Sequence, residues 1–181
     1  MFREIMVKDP NLLLNAEHKK HIWDIEGNTR LLPHEFPKGT LKWLHYRTIK
    51  ELILLRLELP GNAYMYPSPL KRAHVRHDEK VLIGIDSQHS TINKTRLSVA
   101  TDVFVEPSYW YDYLMSGIKR FDGVGIYLDN FITLRGNRMN YPMFHFDKRI
   151  DGFLFWVHVD GQYFYRKEGL KMLYKAVDKW G

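Results

Sequence analysis

Three residues stand in contexts that suit a metal site: His89 in SQH at 87–89, Asp102 in SVATDVFV at 98–105, and His145 in PMFHFDKR at 142–149. The chain contains no cysteine, so any metal must be held by nitrogen and oxygen, and a catalytic zinc needs three such ligands with a fourth position left for water. His89 follows an apolar run, Asp102 lies inside an apolar segment, and His145 is flanked by Phe144 and Phe146. Stability does not explain a carboxylate at Asp102, because burying one without a cation or a set of donors is expensive. Asp147 lies two residues after His145, so on a strand both side chains project to one face, where the carboxylate can touch either the imidazole or the water on the metal. Spacing alone does not choose the set. WVHVDG carries His158 and Asp160 at the same interval.

Ordered elements must bring such residues together. LKWLHYRTIKELILLRLEL at 41–59 sets Leu44, Ile49, Leu52, Ile53, Leu55 and Leu59 on a broad apolar face and predicts a core helix, stopped by Pro60 and Gly61. AYMYPSP at 63–69 and KVLIGID at 80–86 predict extended segments around the basic loop LKRAHVRHDE, and SVATDVFV has the β-branched content and length of a strand. YWYDYLMSGIKRF at 109–121 predicts an amphipathic helix. GVGIYL, PMFHFDKR, GFLFWVHV and GQYFYR then predict an antiparallel meander, and EGLKMLYKAVDKW a closing helix. Residues 1–42, with the breaks EGNTR and LPHEFPKG, predict an irregular lead-in of loops and short helical turns. The expected plan is a single α+β domain over 1–181, a small antiparallel sheet with helices packed on one side.

Composition bounds the function. A chain of 181 residues with 45% apolar and 14% aromatic content buries one core, and the missing cysteines exclude structural disulfides, cysteine-ligated zinc and thiol nucleophiles. MFREIMVKDPNLLL has no apolar run of signal-peptide type, and no segment approaches the roughly 20 apolar residues of a membrane span. A formal charge of +6 and a pI near 9.4 favour polyanions: nucleic acid, anionic lipid or an acidic cell wall. No arginine-rich arm or named nucleic-acid motif is present, so nucleic acid is not the expected partner, though a basic nucleic-acid-binding protein stays as a competing reading.

In order, SQH at 87–89, AxD at 100–102, GVGIY at 123–127 and HFDKR at 145–149 resemble the zinc-dependent D-Ala-D-Ala carboxypeptidases and cell-wall endopeptidases that include many phage endolysins. SPLKRAHVRH at 68–77, LPHEF at 32–36 and WVHVDGQYFY at 156–165 extend the resemblance over most of the chain from about residue 33. It implies a hedgehog/DD-peptidase fold, a zinc ion held by His89, Asp102 and His145, and hydrolysis of peptide bonds in peptidoglycan. It also implies that His158 belongs to a structural hairpin.

Arg76 is then the expected clamp for a substrate carboxylate, because a guanidinium matches that group; Arg72 is the fallback. His77 packs beside the site or contacts substrate, Ser87 bonds near the first ligand or caps a turn, and Tyr127 lends a phenol to the cleft or belongs to the core. Trp110, Tyr111, Trp156 and Phe164 read as core or cleft wall. A protein of this kind, expected as a monomer, is made in the cytoplasm without a signal peptide and acts at the wall after release or within a virion.

Two departures stand out. His89 and Asp102 are thirteen positions apart, further than in many members, an insertion that loop thermodynamics tolerates. Pro142 occupies the position where better known members carry an acidic general base. Asp147 becomes the expected base, with Asp129 a distant second. A non-catalytic wall-binding or virion module of the same fold is the alternative. ITLRGNRMNYP at 132–142 is expected to form a lip over the cleft.

Overall fold

In the computed structural model residues 31–60, 62–77, 87–91, 97–149 and 152–177 are described. The extended segment expected at 80–86 and residues 1–30 of the lead-in lie outside them. The described end of the lead-in has 3-10 turns at Pro33–Glu35 and Leu41–Trp43.

Helix α1 (Tyr46–Glu58) starts later than its apolar spacing suggested. Before it, the backbone is extended and pairs with Ser98, and the ring Nδ1 of His45 accepts the Arg47 amide at 3.2 Å as an N-cap. Helix α2 (Trp110–Arg120) turns Tyr113 and Leu114 inward, and its Arg120 bonds Glu51 of α1 at 3.0 Å. The closing helix α3 spans Arg166–Val177.

Six strands form the main sheet: β1 (Met65–Pro67), β2 (Ala100–Val105), β3 (Gly123–Tyr127), β6 (Met143–Asp147), β7 (Leu154–Val159) and β8 (Gln162–Tyr165), in the order β1-β2-β6-β3-β7-β8. Two short strands, β4 (Ile132–Leu134) and β5 (Asn137–Met139), pair by themselves.

The expected meander is corrected here. Strand β6 lies between β2 and β3, and β7 runs parallel to β3 while the other neighbours are antiparallel. Strands β6 and β7 therefore flank β3 on either side and run antiparallel to each other. Within 132–142, residues 132–139 form a hairpin of their own, because Arg135 (φ 51) and Gly136 (φ 83) make a two-residue turn of the kind that suits twisted strands.

Strand alternation sorts the chemistry. Val103, Val105, Val124, Ile126, Phe144, Phe146, Phe155 and Val157 share one face and form a single core with Ile49, Leu52 and Ile53 of α1, Tyr113 and Leu114 of α2, and Leu173 of α3. The residues between them, Asp102, Gly123, Gly125, His145, Asp147 and Trp156, face the other way.

Candidate metal centre

Register places the ligands. Asp102 of β2 is opposite His145 of β6, His145 opposite Gly125 of β3, and Gly125 opposite Trp156 of β7, so these four form one row across the sheet on the face away from the core. His89 reaches that row from a turn. Ser87 holds the turn: its carbonyl accepts the Ser90 amide at 2.8 Å and its hydroxyl accepts the His89 amide at 3.3 Å. The His89 carbonyl in turn accepts the Arg76 amide at 2.9 Å, and Gln88 accepts the Val99 amide at 3.1 Å, which lays the turn beside the start of β2.

Three atoms then converge. His89 Nε2 lies 3.0 Å from His145 Nδ1 and 3.3 Å from Asp102 Oδ1, and His145 Nδ1 lies 3.0 Å from Asp102 Oδ1. His89, Asp102 and His145 are 3%, 6% and 6% exposed, and together they could hold a metal ion. Donors at three corners of a tetrahedron with bonds of about 2.0–2.1 Å stand roughly 3.3 Å apart, so the triangle has the dimensions of a four-coordinate site.

Proton bookkeeping supports a cation. On its far side His145 meets Asp147, Nε2 to Oδ2 at 3.0 Å, so both ring nitrogens face carboxylate oxygens that can only accept. Without a metal the ring must be doubly protonated: burial favours the neutral form, but the hydrogen bonds to Asp102 and Asp147 outweigh it and raise its pKa to about 9. Burial pushes His89 the other way, below its ordinary value, with Asp102 offsetting only part of that. Asp102 is held well below the carboxylate range: burial opposes this, and the charges and hydrogen bonds of the two histidines prevail. A neutral His89 leaves either its Nε2 lone pair against Asp102 Oδ1, or two N–H groups against each other. A cation at the shared point removes the mismatch by accepting all three lone pairs. His89 Nδ1 is also buried without a hydrogen-bond partner.

Asp147 is fully buried and committed elsewhere. Its Oδ1 accepts the Arg149 amide at 3.0 Å and Nε at 2.9 Å, and Oδ2 accepts Arg149 Nη2 at 2.5 Å. Burial alone would raise its pKa, yet the His145 and Arg149 bonds lower it to about 2. The carboxylate expected as general base lies across the imidazole from the converging donors, where it faces Arg149 and His145. Asp129 is also taken: its Oδ2 accepts the Asp160 amide at 2.5 Å and holds the β7–β8 turn.

No protein family, curated protein or solved structure matches this chain.

Arg76 pairs its backbone with the His89 turn, its Nε donates to the Arg72 carbonyl at 2.9 Å, and its charge is near enough to His89 to disfavour protonation there. His77 is directed elsewhere, with Nδ1 2.9 Å from Thr91 Oγ1 and its ring against Trp43. Tyr127 stands on the site face one row from the ligands, packed against His158 and Tyr163. Burial, then Tyr163 and the Asp102 charge, push its hydroxyl pKa above the ordinary range. His158 sits between Tyr127 and Tyr163, apart from the metal-binding group.

Arg149 is the residue that sequence reasoning gave no role in the site, while Trp156, read as core or cleft wall, stands in the row of the ligands. Trp156 packs 5.0 Å from the His145 ring and lies under the Arg149 guanidinium at 5.4 Å. Alternation could have found Arg149, since 145, 147 and 149 share one face of an extended chain. The two glycines of GVG have a packing reason as well. A Cβ on Gly123 would stand 2.2 Å from Asp147 Oδ2, and one on Gly125 2.2 Å from the Trp156 ring.

Proposed function

We propose that this chain is a zinc metallopeptidase of the hedgehog/DD-peptidase kind, phage-encoded, that hydrolyses a peptide bond in peptidoglycan stem peptides or cross-links as a D,D-carboxypeptidase or endopeptidase. The observation that carries this reading is the triangle of His89 Nε2, Asp102 Oδ1 and His145 Nδ1 with sides of 3.0–3.3 Å. Two imidazoles and one carboxylate are a donor set that suits zinc and leaves a position for chemistry.

Bound zinc supplies a Lewis acid that brings the pKa of a coordinated water to about 7. The chain does the rest by positioning. Asp147, clamped by Arg149, holds His145 in the tautomer that presents Nδ1, since Nε2 carries the proton it donates. Arg76, at the margin of the His89 turn, supplies the cation for a substrate carboxylate. Tyr127 stays protonated and offers a phenol donor one row away. The positive net charge suits an acidic wall.

A specific observation favours one other reading, a wall-binding or virion module that keeps the metal without hydrolysis. Pro142 cannot accept a proton, and Asp147 is engaged by Arg149 and His145. Two measurements together decide. The purified protein carries about one zinc per chain, and His145→Ala abolishes both zinc and activity; zinc retained in that variant overturns the ligand assignment. Mass spectrometry of muropeptides after incubation with walls shows new amines or free D-alanine for an enzyme, and an unchanged profile with protein retained on walls for a binder.

A further inference from the structure

The segments around Trp43 and His77 enclose a cavity of about 320 Å3, which none of the metal-binding residues lines. Its lining includes Trp43, Val75 and His77 together with Lys38, Lys42 and Lys71. The Trp43 and His77 rings meet edge to face at 4.9 Å, and His77 is tied through Thr91 to the strand segment that continues from His89. Lys42 Nζ stands 5.8 Å from the Trp43 ring centre.

We propose that this cavity is a binding site for a phosphate-bearing sugar or polyol. Three lysines line it and, among the described residues, no carboxylate does. Lysines act on phosphate as point charges, whereas a carboxylate is matched best by the guanidinium fork, which the described lining lacks. Trp43, Val75 and His77 add an aromatic and apolar wall, which suits the C–H face of a small saturated ring. The volume is at the small end of the roughly 300–1,000 Å3 found for ligand pockets, so it takes one such unit. Lys42 shares the Trp43 ring with any ligand, which places the anion beside the ring and leaves less room for a broad nucleobase. The same chemistry occurs in free sugar phosphates and in phosphate-bearing wall polymers.

The test uses the full zinc-loaded protein and follows the indole N–H resonance of Trp43 during titration with glucose 6-phosphate, glucose, inorganic phosphate and AMP. Glucose 6-phosphate shifts Trp43 and binds about tenfold or more tightly than glucose or phosphate alone, and added salt weakens it. The triple change Lys38→Gln, Lys42→Gln, Lys71→Gln affects exposed side chains, and it weakens that binding about tenfold or more. Tighter binding of AMP, equal binding of glucose, no shift at Trp43, or full affinity in the triple variant each overturns the proposal. Retention on walls bearing phosphate polymers, lost on stripped walls and in the triple variant, identifies the polymer as the source; binding of the free compound without such retention identifies the metabolite. Zinc content and hydrolysis of stripped walls are unchanged in the triple variant, so this site and the hydrolase reading fail in different measurements.

Discussion

His145 is the residue on which the centre turns, because one ring nitrogen joins the converging donors and the other is held by Asp147 at 3.0 Å. That second contact would tune the affinity for a metal without touching the converging donors. Asp147→Asn replaces an oxygen that accepts from His145 or Arg149 with an amide that cannot, so zinc binding should weaken about 10–100-fold while some occupancy survives. Competition with a chromophoric chelator measures it. An unchanged dissociation constant would remove Asp147 from the positioning role. His89 and Asp102 were conspicuous in the chain as a histidine after an apolar run and a carboxylate within one. Arg149 was not, because its role depends on a bidentate contact back to Asp147 that a motif letter does not state.

At the scale of elements, the row across β2, β6, β3 and β7 depends on Gly125 being flat. Gly125→Ala drives a Cβ to 2.2 Å from the Trp156 ring in a buried place, so the ring must leave its position beside His145. The expected loss is about 1–3 kcal/mol, read from urea midpoints, with weaker zinc binding alongside. Midpoints equal to those of the unaltered protein would show that the row tolerates a side chain.

The segment before the His89 turn is pinned to β2 by His74, whose Nδ1 and Nε2 lie 2.7 Å from Thr101 Oγ1 and the Ser68 carbonyl. Burial pushes this ring down to about 4. Its folded pKa is below the unfolded value, so the unfolded chain binds more protons and stability is lost as pH falls from about 6.5 through 4. The loss amounts to about 3 kcal/mol. In His74→Gln that part of the acid slope disappears, as denaturation at a series of pH values would reveal; an identical slope would assign the acid sensitivity to other groups.

At the scale of the molecule, helices cover one face of the sheet and leave the other for the site, where a bound zinc ion would couple metal binding to folding. Zinc at a thousandfold excess over its dissociation constant adds about 4 kcal/mol of stability. For a chain of this size that raises the melting temperature by roughly 10 °C. Calorimetry before and after chelation checks this, and coincident melting curves would mean that the triangle of donors holds no zinc. The lysine-lined cavity shares no lining residue with the group of His89, Asp102 and His145, so the two can be tested one at a time.

Periodicity and composition alone determined the three helices, the strand character of 100–105 and 143–147, the exclusion of sulfur ligands, and the parity that puts His145 and Asp147 on one face. These follow from rules local to a few residues. Only the tertiary structure decided that β6 inserts between β2 and β3, that β7 runs parallel to β3, and that Asp147 is closed off by Arg149. Strand partners are chosen by long-range burial, which leaves no local trace in the sequence, and whether a carboxylate is free or clamped depends on the neighbour that packing brings to it.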